Sequence, residues 1–171
     1  MENFTNETID TTQLPRFEEV AFAPLHPNYW KVKLINMLLF FVILIGGLTL
    51  LVIMNEEMAG NEVLIGIGVV VLMAVTFLFS RIGFVKKGFA FRTHDVLFRS
   101  GIIATNTIVI PYNRVQHVAL HEGVLSRYFG LAKIEIFTAG GSSSDIEIPG
   151  IEKGQAENIK QLLMGKIQKQ L

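Results

Sequence analysis

His117 and His121 stand four apart, the spacing that would place two imidazoles on one side of a helix to hold zinc. The residues around them alternate as a strand does. At about 3.3 Å per residue the two rings then lie about 13 Å apart, too far to share a metal. His94 reads as a turn residue and His26 as an interfacial one. Gly140 to Asp145, GGSSSD, has the glycines of a phosphate cradle but lacks the Gly-Lys-Ser/Thr ending and opens no helix; a hairpin loop between Phe137 and Ile146 accounts for it. Asp145 and Glu147 sit two apart on a strand's outer face, as a solvated edge. No serine has a histidine and an acid at a triad-like spacing. The absence of cysteine excludes disulfides, thiol catalysis and cysteine-rich zinc sites. No catalytic, cofactor-binding or metal-ligating residue is therefore assigned.

Arg114, Gln116 and Arg127 are the more informative polar residues. Gln116 shares its parity with Val118 and Leu120, leaving Val115, His117, Ala119 and His121 on the other face, and is expected to point inward, where its amide needs a hydrogen bond. These polar groups either tie turns together or meet a partner chain. On the second reading Tyr112, Arg114, Arg127 and Tyr128 form a candidate interaction surface.

The elements that position them begin in a membrane. Leu34 to Met54 carries no charge in twenty-one positions, close to the roughly 20 residues a helix needs to cross a bilayer. Val63 to Phe79 offers seventeen, and Ser80, Ile82, Phe84 and Val85 extend it if Arg81 snorkels to the headgroups. A transmembrane hairpin over residues 31–85 is expected, its spans at 34–54 and 63–79. Gly46, Gly47, Gly66 and Gly68 fall in its outer half, where small residues let two helices approach closely. Neither span contains an ionisable group, which argues against an ion or proton path.

Charge is unevenly spread although the chain is neutral overall. The stretch before Leu34 is acidic, the hairpin loop carries Glu56, Glu57 and Glu62 with no base, and the segment from Arg81 has twelve lysines and arginines against seven acids. Basic residues near membrane ends stay cytoplasmic. Lys31, Lys33, Arg81, Lys86 and Lys87, with Trp30 in the aromatic belt, are candidate membrane-surface contacts, and both termini are expected in the cytoplasm of a two-helix cell-membrane protein. The acidic leader argues against a cleaved signal peptide. Residues 1–30 read as a polar tail and interfacial segment. Within it Phe17, Val20, Phe22 and Leu25 are expected as a linker packed on the hairpin's inner end, because Pro24 and Pro27 would interrupt an amphipathic helix.

After Val85 the hydrophobic period changes to two. Phe89 and Phe91, Val96 and Phe98, Ile108 and Ile110, Ile134 and Ile136, and Ile146 and Ile148 mark successive strands. Past a break at Pro149-Gly150 the period returns to three and four at Ala156, Ile159, Leu163 and Ile167, one amphipathic closing helix. Residues 86–171 thus read as an α+β domain.

Several pieces in order then carry a resemblance: Arg99-Ser100-Gly101, Ile110 to Gln116 (IPYNRVQ), Arg127 to Leu131 (RYFGL) and Thr138 to Gly140, with Leu25-His26-Pro27 and Tyr29-Trp30 ahead of the first span. Together they resemble the bacterial pleckstrin-homology-like domain of YdbS-type membrane proteins, over about residues 25–165. The resemblance implies a bent antiparallel sheet or barrel of about seven strands capped by the C-terminal helix. It implies no chemistry and no phosphoinositide site, and it implies company with larger membrane proteins carrying several such domains. The expected function is a non-enzymatic, membrane-anchored interaction or adaptor module at the cytoplasmic face, partnered by the bilayer and another membrane protein, with no cofactor and no nucleic acid. The alternative is an anionic-lipid-binding or membrane-stress-related module, motivated by the basic segment beside the bilayer.

Overall fold

The computed structural model describes residues 8, 10, 19–55, 60–139 and 145–168. Most of the polar tail with Phe17, the loop acids Glu56 and Glu57, and the glycine-serine loop at 140–144 lie outside the described residues. Seven strands and four helices follow in the order β1 (Ala23–Pro24), α1 (Pro27–Met54), α2 (Glu62–Lys86), β2 (Gly88–Phe91), β3 (Asp95–Ser100), β4 (Asn106–Pro111), β5 (Val115–His121), α3 (Val124–Tyr128), β6 (Leu131–Thr138), β7 (Ile146–Glu152) and α4 (Lys153–Gln168).

His26 caps α1 through its Nδ1, which accepts from the Asn28 backbone N–H at 3.2 Å, and Pro27 supplies the fixed φ that suits a first turn. The 28-residue helix rises about 42 Å at about 1.5 Å per residue, more than the ~30 Å hydrocarbon core. The length leaves about two turns beyond the hydrocarbon, and the helix start meets the domain where the His26 N–H donates to the Gly150 carbonyl. Both helices are long and apolar enough to cross a membrane, and they show their apolar side chains outward, as with Ile43 at 74% and Ile53 at 76% exposure.

Contact between α1 and α2 concentrates at the inner end, where Trp30 meets Phe77 edge-on at 5.6 Å and the Lys33 ammonium donates to the Ser80 carbonyl at 3.4 Å. The expected close approach at the outer glycines does not occur. No heavy atom stands within 4 Å of where a Cβ would sit on Gly46, Gly47, Gly66 or Gly68. A groove of about 590 Å³ instead separates the helices there, between Ile45 and Ile53 on one side and Ile65 and Val70 on the other. Large aromatic side chains meet at the domain end, and smaller ones border the open groove at the other.

Strands β1-β2-β3-β4 form one antiparallel sheet and β5-β6-β7 a second, joined by a short 3₁₀ turn at Tyr112–Arg114. The seventh strand of the fold is thus β1, which precedes the hairpin: Ala23 pairs with Phe89 and Pro24 with Gly88. Leu25 is buried in the domain core, and Phe22 lies under the Arg99 guanidinium at 4.4 Å. This corrects the expected linker, because the segment packs on the first sheet and the hairpin interrupts the domain between β1 and β2. The core gathers Val96, Phe98, Ile110, Ile134, Ile136 and Ile148 with Ala156 and Leu163 of α4, on the faces that alternation assigns. Among the described residues no polar or charged side chain is buried.

Two further expectations change. The register of β5 against β6 shifts between Val115 and His117, a β-bulge that turns Val115 inward with Val118 and leaves Gln116 exposed. Gln116 is therefore no buried amide. Pro149-Gly150 does not break β7, which runs on to Glu152 with Pro149, Gly150 and Ile151 all buried. Gly150 takes φ +65, and a Cβ there would lie 2.4 Å from Cγ of Tyr29. Its carbonyl accepts the His26 N–H at 2.9 Å, so this glycine is where the start of α1 docks on the domain.

Candidate interaction surfaces

The membrane-surface candidates lie at one end of the hairpin. Arg81 stands over the Trp30 ring at 5.1 Å and over Phe84 at 5.6 Å, a cation–π arrangement that ties its guanidinium to the aromatics at this end of the hairpin. Lys31 and Lys86 are exposed, and Lys33 and Lys87 border one groove beside the β3–β4 turn. The Lys86 ammonium donates to the Ile102 carbonyl of that turn at 2.6 Å. Gly101, at φ +137, makes the turn possible, since a Cβ there would fall 1.9 Å from the Ala104 carbonyl oxygen. Ile103 beside it is 92% exposed. In the sequence, Arg99-Ser100-Gly101 ends a strand and Thr105 to Thr107 supply turn-forming residues, which signals a turn here but not its contact with Lys86.

The four partner-surface candidates divide. Tyr112 is 3% exposed: its hydroxyl donates to the Arg92 carbonyl at 2.7 Å, its N–H to the His94 carbonyl at 2.9 Å, and Lys166 of α4 stands over its ring at 5.8 Å. It belongs to the core and leaves the surface. Burial, then the nearby Asp95 carboxylate, pushes its phenol above the usual value. Arg114 is exposed in the 3₁₀ turn at one end of β5, and its carbonyl accepts the Ala139 N–H at 3.3 Å. Arg127 and Tyr128 lie beyond the other end, about 23 Å away at about 3.3 Å per residue. The set therefore makes two separate surfaces.

Around Arg127 the polar groups are organised by Glu122, which takes Lys153 at 3.0 Å and Arg127 at 3.8 Å along an open groove also bordered by Leu120 and His121. Helix α3 contacts α1 and presents Tyr128 at 84% and Val124 at 88% exposure. Val124 went unnoticed in the sequence because a lone valine in a short helix has no period to mark it.

Other charges of the second sheet form structural networks. Glu135 bridges Lys133 and His121, the latter at 3.1 Å, and Lys133 reaches Glu147 at 3.3 Å. The Lys133 hydrogen bond, with help from His121, holds the Glu135 carboxyl below its ordinary range. Asp145 accepts from the Thr138 N–H at 2.8 Å and hydroxyl at 2.6 Å, closing the β6–β7 hairpin and lowering its own pKa; it is a turn clasp where a solvated edge was expected. His117 packs against Phe137 with ring centres 5.2 Å apart and planes tilted by 49°, while His121 turns to Glu135, so the two histidines serve different neighbours. Among the described residues no three His, Cys, Asp or Glu side chains gather as metal ligands.

Compared with known proteins, residues 32–167 match the family described as Bacterial PH domain. The UPF0699 transmembrane protein YdbS of Bacillus subtilis (strain 168) is 33% identical over 67 residues, which cover 39% of this chain and 40% of that protein. The aligned stretch thus spans less than half the length of the relative. No solved structure matches.

Proposed function

The chain belongs to the bacterial PH domain family, and from that premise we propose that it is a non-enzymatic, membrane-anchored adaptor that assembles with another membrane protein at the cytoplasmic face. As a membrane protein carrying such a domain, it combines an anchor with a rigidly mounted body. The observation that carries the reading is the double attachment: Lys87 leads straight from α2 into β2, and the start of α1 is fixed by β1, Leu25 and the Tyr29–Gly150 contact. A domain held at both ends of its anchor presents any surface at a constant height and angle to a neighbour in the same membrane. Preorganisation of this kind lowers the entropic cost of association.

The surface that fits a protein partner best is α3, where Val124 and Tyr128 stand exposed beside Arg127. Aromatic and arginine side chains dominate binding energy in protein interfaces. A larger membrane protein with several such domains is a fitting partner, by the resemblance noted above.

The test is recovery of the tagged full-length protein from its native membrane in mild detergent, with stoichiometry read by mass spectrometry. One near-stoichiometric membrane protein is expected, lost from the Val124→Asp/Tyr128→Asp variant. An unchanged complex in that variant would remove α3 as the contact. Recovery of the protein alone across gentle detergents would overturn the adaptor reading.

A further inference from the structure

Where the inner end of the hairpin meets the β3–β4 turn lies a groove of about 440 Å³, bordered by Lys33, Val75, Thr76, Phe79, Lys87 and Ile102. Its two ends differ in chemistry. At one end stand Lys33 and Lys87, and among the described residues neither has a carboxylate within ion-pair distance. Lys33 makes one long hydrogen bond, to the Ser80 carbonyl at 3.4 Å, which leaves donors of its ammonium unused. At the other end Val75 and Phe79 are apolar, and the Thr76 hydroxyl already donates to the Leu72 carbonyl at 2.7 Å. That end has no free hydrogen to offer a polar ligand.

The depth also fits an amphiphile. From Val75 to Lys87 the chain climbs about 18 Å at about 1.5 Å per residue, close to the hydrocarbon of one leaflet plus its phosphate layer. The wall opposite α2 is fixed. Lys86 holds the Ile102 carbonyl, and a Cβ on Gly83 would be only 3.3 Å from the Ile102 side chain. Two cations at phosphate depth above an apolar channel at acyl depth match one class of ligand.

We propose that this groove holds an anionic phospholipid of the leaflet next to the domain, its phosphate between Lys33 and Lys87 and one acyl chain along Val75 and Phe79. A zwitterionic lipid brings its own cation to the same two lysines and gains less. Charge at the head end therefore sets the preference, and the channel sets the orientation. No residue of α3 borders the groove, so the site stands whether or not a protein partner is found there.

The full-length chain in mild detergent, given equal phosphatidylglycerol and phosphatidylcholine, should retain at least ten-fold more phosphatidylglycerol in native mass spectrometry. Lys33→Gln/Lys87→Gln should abolish the preference, while Lys33→Arg and the distant Lys160→Gln should keep it. Equal retention of the two lipids by the unaltered chain, or an unchanged preference in the double variant, would overturn the proposal. A second measurement leaves both lysines in place. Trp30 is the sole tryptophan, so Trp30→Phe/Phe79→Trp puts one fluorophore in the channel. Acyl-brominated phosphatidylglycerol should quench it more strongly than acyl-brominated phosphatidylcholine at the same mole fraction, and equal quenching would count against the site.

Discussion

The hairpin and the domain are built from the same aliphatic residues with opposite placement. In the domain Ile134, Ile136, Ile146 and Ile148 are buried to within 1% of complete. In the hairpin Ile43, Ile53, Val63 and Leu64 are at least 70% exposed. The difference lies in the solvent each region expects: water drives apolar surface inward in one, and lipid removes that drive in the other. Polar contacts follow suit. Within the hairpin's spans the threonine hydroxyls turn back on their own helices, Thr49 to the Ile45 carbonyl and Thr76 to the Leu72 carbonyl, while most of the domain's side-chain bonds lie on outer faces and turns. The junction at Tyr29 and Gly150 is where the two regimes meet.

The most severe break in this comparison should come at the junction itself. Gly150→Val combines a left-handed φ with a collision against Tyr29 and should destabilise the full chain by about 4 kcal/mol or more, with the start of α1 released from the domain. Denaturant titration in detergent, with protease susceptibility of residues 20–30, reads both effects; a loss under about 1 kcal/mol would show that the contact is dispensable.

Next, matched truncations should separate the two solvents. Ile148→Ala should cost about 3 kcal/mol, the range for a buried aliphatic reduced to alanine. Ile43→Ala should stay within about 0.5 kcal/mol, as exposed positions do. Equal losses at both sites would contradict the lipid-facing assignment of the hairpin.

A smaller effect is expected at Tyr112. Tyr112→Phe removes the bond to the Arg92 carbonyl and should cost about 1 kcal/mol at neutral pH. Because the folded-state phenol is raised, its contribution is complete below the ordinary value of about 10 and is lost as pH rises through the folded value. The variant should accordingly show a flatter loss of stability in alkali than the unaltered chain. Identical alkaline profiles would remove Tyr112 as the responsible group.

The smallest effect belongs to the outer charge network. Lys133→Gln should change stability by no more than about 0.5 kcal/mol, as exposed ion pairs do. The lowered Glu135 carboxyl contributes above its ordinary range near 4.3 and loses that contribution as pH falls through the folded value. Thermal melts at pH 7 and pH 3 should converge for the variant and the unaltered chain at the lower pH. A gap that widens at pH 3 would contradict the pairing.

Much of this was legible in the sequence where one rule acted alone. Two charge-free runs specify a hairpin in lipid, and alternation placed Val96, Phe98, Ile134, Ile136, Ile146 and Ile148 on the core side. The misreadings occurred where a second effect overrode the pattern. One extra residue at the β5 bulge inverted the parity of Val115 and Gln116. Gly150, which composition marks as a break, serves instead to let an aromatic ring approach a continuous strand. A two-residue strand at Ala23–Pro24 has no period to detect, and its partner lies beyond both helices. Of the candidate surfaces, the gathering of Trp30, Lys33, Arg81 and Lys87 at one end of the hairpin follows from position along the chain. The burial of Tyr112, the exposure of Val124 and the Lys33–Lys87 groove depend on elements far apart in sequence.

Because β1 is synthesised before α1 and its partner β2 only after α2, the domain's edge strand must wait while both helices enter the bilayer. Only a hairpin that brings its two inner ends together can deliver Ala23 to Phe89 and Leu25 to the core. Completion of the sheet thus depends on the two helices arriving side by side, and a chain whose helices stray into separate places keeps an unpaired edge, open to proteolysis.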